Sequence, residues 1–259
     1  MGDKKSTVEK MLTVASWVSL LLIWYLITKF EIFSSTLVPS PGKVIKTFID
    51  IMHNGYNQVS LWSHLMASFE RLFLSVVFAV ITAVPLGLLS GFFSKFRAVI
   101  DSLVEFYRPL PPLAYYTLLI LWLGIDNTSK IMLLFLAAFA PIYIACVSAV
   151  TKINKDYILS AKSLGAGQRQ IFFNIVLPAC LPEIFTGIRT AIGFSYTTLV
   201  AAEMVAATSG IGWMVLDAAN FLKSDVIFVG ILVMGATGIL IDQGMRYIEK
   251  KVIYWKGYV

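Results

Sequence analysis

Charge is scarce in this sequence of 259 residues: Asp, Glu, Lys and Arg together make up 14% of it, about half the share usual in soluble domains. With 58% hydrophobic residues and a mean hydropathy of +0.79, the composition excludes a water-soluble globular domain and requires an integral membrane protein. Cysteine is scarce too. The two present, Cys146 and Cys180, sit within and at the start of apolar stretches, which points to packing and excludes a disulfide framework. The two histidines, His53 and His64, lie far from any carboxylate cluster, so no metal site is expected. Phosphate-binding loops of the G-x-x-x-x-G-K-S/T kind and nucleophile elbows are missing. The chain is therefore expected to hydrolyse nothing and to hold no cofactor; active transport would draw its energy from a partner. No repeat relates the two halves, which argues against an inverted-repeat carrier. No small-residue cleavage pattern follows the first apolar run, which reads as an uncleaved helix.

What the chain does have is apolar length. Six stretches, at 11–28, 72–93, 109–123, 131–150, 181–207 and 226–241, predict an all-α integral membrane protein of about six transmembrane helices, organised as a single domain over 1–259. The third and sixth fall short of the roughly 20 residues a bilayer needs, so each is expected to extend as helix into its polar flank. Lys4, Lys5, Lys10, Lys95, Arg97, Lys152, Lys155, Lys162, Arg169, Arg246, Lys250, Lys251 and Lys256 fall on one side of these spans. Only Lys29, Lys43, Lys46, Lys130 and Lys223 fall on the other. The positive-inside rule then puts both termini and the loop at 152–178 in the cytoplasm. Topology also accounts for the net charge of +6, with no nucleic acid needed; lipid is the expected surrounding.

Residues 159–178, LSAKSLGAGQRQIFFNIVLP, form the one long polar interruption late in the chain. They read as two short helices broken by Gly165 and Gly167, the first capped by Asp156 and the second restarting at Gln168. Too short to span a bilayer and too ordered for a linker, the segment reads as a docking element. At the far side, Ser40 followed by Pro41 starts a helix whose Val44, Phe48, Ile51 and Met52 form one stripe, as in a helix lying on the outer surface.

The fifth stretch is the most polar of the six. It carries Glu183, Arg189 and Glu203 with the patch Ser195-Tyr196-Thr197-Thr198, and intramembrane charge faces the protein interior or an aqueous path. Arg189 and Glu203 lie roughly 21 Å apart along a helix and cannot pair with each other. Arg71 is the natural partner for Glu203 and Glu105 or Asp101 for Arg189; helix packing and a role in transport both remain open for these pairs. Pro109-Leu110-Pro111-Pro112 is expected to bend the chain as the third stretch enters the bilayer.

The docking stretch resembles the cytoplasmic loop of membrane subunits of bacterial binding-protein-dependent ATP-binding-cassette importers. Their pattern is E-A-A, three residues, Gly, nine residues, I-x-L-P. Gly165, Ile175, Val176, Leu177 and Pro178 match it in full, Ala161 matches the second Ala, and Leu159 and Ser160 replace Glu and the first Ala. Tyr107-Arg108-Pro109-Leu110-Pro111-Pro112, Leu121-Trp122-Leu123-Gly124-Ile125 and Val200-Ala201-Ala202-Glu203-Met204 resemble the nitrate, sulfonate and taurine branch. Phe139-Ala140-Pro141-Ile142 and Pro182-Glu183-Ile184-Phe185-Thr186-Gly187 resemble taurine permeases most. The resemblance implies the type I importer permease fold, with a coupling helix within 152–178, in a bacterial inner-membrane homodimer. Its implied partners are two ATPase subunits, which bind the ATP and Mg, and a periplasmic or lipid-anchored substrate-binding protein. Tyr157, Leu159, Ala161, Lys162, Leu164, Gly165, Ala166, Gln168 and Arg169 would then couple to the ATPase. Ser195, Tyr196, Thr197 and Thr198 would line the path, their hydroxyls favouring a small anion. Taurine or another alkanesulfonate is the expected cargo, with nitrate, bicarbonate or a small organic precursor as alternatives. The rival of another class is an ion-coupled secondary carrier in which Arg189 and Glu203 handle the ion.

Overall fold

A computed structural model describes residues 7–255, which leaves Lys4, Lys5 and Lys256 of the orientation count, and the side chain of Lys10, outside it. Regular structure among the described residues is helical: α1 (Thr7–Lys29), α2 (Pro41–Asn54), α3 (Leu61–Phe92), α4 (Ser94–Tyr107), α5 (Pro112–Leu123), α6 (Asn127–Thr151), α7 (Lys155–Ser163), α8 (Gln168–Ile171), α9 (Leu177–Ala206), α10 (Ile211–Asn220) and α11 (Ser224–Val252). Five helical segments are long and apolar enough to cross a membrane, Met11–Lys29, Leu61–Phe92, Asn127–Thr151, Gln168–Ala206 and Ser224–Val252; the shorter α5 is the sixth apolar helix.

Polar punctuation sets the boundaries. Ser40 caps α2 by accepting from the Lys43 amide at 3.3 Å, with Pro41 opening the helix. Ser60 does the same for α3 through Ser63 at 3.1 Å. The sixth stretch extends into its flank as expected, giving the 29 residues of α11. The third does not. Its flank is a separate amphipathic helix, α4, and the break falls at 108–111, because Pro109 and Pro111 offer no N–H and Pro112 holds Pro111 before it in an extended conformation, ψ 130°.

Helix α6 is the centre of the bundle, packed between α3 and α9. Ala79 and Ala83 of α3, Ala138 and Ala140 of α6 and Ala191 of α9 are all buried in this contact, small residues that let apolar helices approach closely without a solvent-driven force. Gly87 and Gly91 carry the approach furthest. A Cβ on Gly87 would lie 2.5 Å from that of Cys146, and one on Gly91 would lie 2.4 Å from that of Val150. A second core joins α2, α10 and α11 at the opposite end from the 152–178 loop, through Val44, Ile51, Met214 and Val229. Helix α1 stands apart: none of its membrane-crossing window is buried, and it is pinned near its end where Trp24 stacks on Phe228 at 5.4 Å and donates to the Pro39 carbonyl at 3.0 Å.

Candidate translocation face and coupling hairpin

The 152–178 loop is a helical hairpin beyond the end of the bundle. Asn154, not Asp156, caps α7, accepting from the Asp156 amide at 2.9 Å; Asp156 instead sits in the first turn, where its charge suits the helix dipole. Gly165 turns the chain with φ +82° and open space around it, the left-handed geometry that ends a helix. Gly167 has ordinary backbone angles and caps α8, its amide donating to Gln170 Oε1 at 2.9 Å. None of α7 is buried. Tyr157, Leu159 and Leu164 are exposed, Leu164 at 88%, and Lys162, Gln168 and Arg169 are exposed beside them. Ala161 and Ala166 face the other way, against the bundle core, together with Ile158.

The second arm of the hairpin runs into the membrane without a break. From α8 the chain passes through a π turn, Phe172–Val176, into α9. Pro178 explains the widened turn: it has no N–H and its ring would strike the carbonyl four residues back, and the i to i−5 bond from the Leu177 amide to the Phe172 carbonyl makes room. The result is one 39-residue rod, Gln168–Ala206, roughly 58 Å long at helical rise.

At the far end of that rod lies a buried polar cluster. Arg71, on α3, donates to Glu203 at 2.7 Å, to the Ser209 carbonyl at 2.8 Å and to Asn127 Oδ1 at 2.8 Å. Glu203, 1% exposed, also accepts from the Ser68 hydroxyl at 2.7 Å and the Gly212 amide at 2.9 Å. Gly210 closes over the carboxylate with φ +125°, where any Cβ would lie 2.3 Å from the Glu203 carboxyl carbon. The pair Arg71–Glu203 is thus assembled by four helices and a loop. Outside the membrane at this end, Tyr56 donates to Asp217 at 2.7 Å; burial, and the carboxylate beside it, hold the phenol above its ordinary value and keep it a donor.

Arg189 does not meet Glu105 or Asp101. It pairs with Asp242 at 2.9 Å and Glu249 at 3.8 Å, both on α11. Asp101 is held elsewhere, by Arg97 at 2.9 Å and the Tyr143 hydroxyl at 2.7 Å, and Glu105 forms no ion pair among the described residues. The polar patch on α9 divides in the same way. Ser195 is buried and donates to the Leu134 carbonyl at 3.1 Å; Tyr196 donates to the Met234 carbonyl of α11 at 2.8 Å. Thr197 is exposed, and Thr198 borders a cavity of about 510 Å³ between α5, α6 and α9. The other α9 residues on that cavity, Glu183, Thr186, Gly187, Thr190 and Phe194, continue a stripe at helical spacing that lies outside the Ser195–Thr198 cluster.

The family model for binding-protein-dependent transport system inner membrane components matches residues 83–254. The chain belongs to this family. Among relatives of the permease, the taurine transport system permease protein TauC of Escherichia coli is 37% identical over 96% of this chain and 90% of its own. A putative aliphatic sulfonates transport permease protein of Bacillus subtilis is 32% identical over 92% of this chain and 84% of its own. The nitrate import permease protein NrtB of Synechocystis is 30% identical over 90% and 86%. The permease is thus a multi-pass membrane protein of the ATP-binding-cassette importer class, and the stretch matched by the family model contains both the hairpin and the cavity.

Proposed function

We propose that the permease forms the path of an ATP-driven importer for taurine or another alkanesulfonate. In this reading two copies make the pore, each gripped by a separate ATPase subunit that binds ATP and Mg, and a periplasmic or lipid-anchored binding protein delivers the cargo. The permease itself catalyses nothing. Its hairpin end and both termini face the cytoplasm. The observation that carries the cargo assignment is the 37% identity with a taurine permease across 96% of the chain.

The hairpin supports a mechanical role. Its exposed Tyr157, Leu159 and Leu164 are apolar groups with no cover in a single chain, as a partner's groove requires. Closure of the ATPase pair on ATP pulls α7 and α8, and the continuous rod from Gln168 onward carries the movement to Glu203. Rival ion coupling by Glu203 is disfavoured by its three donors, which leave a carboxylate with little use for a transported ion.

Uptake of radiolabelled taurine into proteoliposomes decides between the classes. The expected result is uptake that needs ATP, the ATPase subunit and the loaded binding protein, and that a protonophore leaves intact. Uptake driven by a proton gradient without ATP would make the chain a secondary carrier instead.

A further inference from the structure

The cavity beside α9 meets a second, smaller one of about 300 Å³ that opens toward the hairpin end, and Arg108, Ile144 and Ser148 line both. Arg108 carries the helical backbone of α4 one residue past its end, just before the prolines, so its side chain continues the face of Arg97, Asp101 and Glu105 up to this neck. Around it the other basic groups are engaged: Arg97 by Asp101, Lys152 by Glu183 and Arg189 by Asp242. Arg108 has no ion pair and no side-chain hydrogen bond among the described residues. Glu183, the carboxylate on the larger cavity, is balanced by Lys152 at 3.2 Å, so on the larger cavity's side Arg108 is the cation without a paired carboxylate, while the unpaired Glu105 borders only the smaller cavity.

The α9 threonines on the cavity do not supply the donors an anion needs, and the Tyr107 hydroxyl is spent on the Leu136 carbonyl at 3.3 Å, which leaves only the single hydroxyls of Tyr115 and Ser148 beside Arg108. Thr186 donates to the Pro182 carbonyl at 2.9 Å, Thr190 to Thr186 at 2.9 Å and Thr198 to Phe194 at 2.8 Å. Each threonine proton is directed at its own helix, and what faces the cavity is mostly oxygen lone pairs and methyl groups. The guanidinium fork therefore holds the strongest set of donors on the path, in the planar geometry that suits an oxyanion.

We propose that Arg108 is the anion-binding relay of the permease, taking the sulfonate or another small oxyanion group of the cargo at the neck between the two cavities. Glu105 lies one helical turn back and borders only the smaller cavity, so an anion leaving Arg108 meets a like charge that keeps the site from becoming a trap. This rests on the importer reading above, and the test separates the two. Wild-type, Arg108→Gln and Arg108→Lys permeases are reconstituted with the ATPase subunit and the binding protein, and uptake is measured beside ATP hydrolysis stimulated by the loaded binding protein. The wild type reports on the cargo: no uptake of taurine or an alkanesulfonate removes the proposed function, and the relay is then read with nitrate. The relay predicts that Arg108→Gln keeps ATP hydrolysis within about twofold while uptake per ATP falls by at least about tenfold, and that Arg108→Lys recovers a good part of it. Unchanged uptake per ATP in Arg108→Gln overturns the proposal, as does a parallel loss of uptake and ATP hydrolysis in both variants. Should Arg108→Gln fail to assemble, Arg108→Lys decides alone, since wild-type uptake per ATP and its anion preference should both shift when the fork becomes a point charge.

Discussion

Glu203 is held by three donors from α3 and the start of α10, and Arg71 by four acceptors from α6, α9 and the loop after it. Each charge is tolerable where it sits because the other is there. Removing one leaves a buried ion without its counterpart, which costs about 3–5 kcal/mol. Arg71→Met and Glu203→Met are each expected to lower the thermal unfolding midpoint of the detergent-solubilised permease by several degrees, and the double variant to recover a large part of the loss. Additive losses in the double variant would mean that the two residues act independently. Lys130 is a second buried cation, 3% exposed, but it holds the carbonyls of Ile125 and Asp126 at 2.6 and 3.2 Å and fixes the turn before α6 instead.

At the scale of the element, the hairpin depends on one backbone angle. Gly165 sits at φ +82° with nothing within 4 Å of a would-be Cβ, so Gly165→Val meets no clash but carries a left-handed strain of roughly 1–2 kcal/mol. The bundle should still fold, while the angle between α7 and α8 changes. Expected is a permease that binds the ATPase subunit and lets it hydrolyse ATP while uptake is largely lost; wild-type uptake per ATP in that variant would tell against the lever. Leu164, 88% exposed at the tip, tests the grip in a different way. Leu164→Asp is expected to reduce co-purification of the ATPase subunit without altering the stability of the permease, because in the single chain the side chain touches little.

For the whole molecule the question is which end faces which compartment. The native Cys146 and Cys180 are fully buried, and burial pulls thiols away from reaction with a bulky aqueous probe. Single cysteines placed at Ser163 in the hairpin and at Asn57 beside α3 then report topology. A membrane-impermeant maleimide is expected to label Asn57→Cys in intact cells and Ser163→Cys only in inverted vesicles, with the wild type silent in both. Labelling of Ser163→Cys from outside would invert the orientation and with it the proposed direction of transport.

Much of this was legible from residues alone. The glycine-broken docking stretch, the capped helix at Ser40 and Pro41 and the break at Pro109 to Pro112 follow from local rules, since a glycine or proline fixes its own backbone. That an intramembrane charge requires an opposite one matched Arg71 to Glu203 but named the wrong partners for Arg189. Azimuth was not legible. Lipid is as apolar as the protein interior, so the hydrophobic pattern of a spanning helix does not say which side faces a neighbour. Only the packing of α6 between α3 and α9 decided that Ser195 and Tyr196 point into helix contacts, that Thr186, Thr190 and Thr198 line the cavity, and that Arg189 reaches α11. The sequence by itself determined that the chain is helical and membrane-embedded and where serine, glycine and proline punctuate it, because capping, charge and hydropathy act within a few residues; it did not determine the separate α4 or the unbroken rod from Gln168 to Ala206. The tertiary structure alone decided which faces meet, because those contacts join residues far apart in the chain whose neighbours no local rule can name.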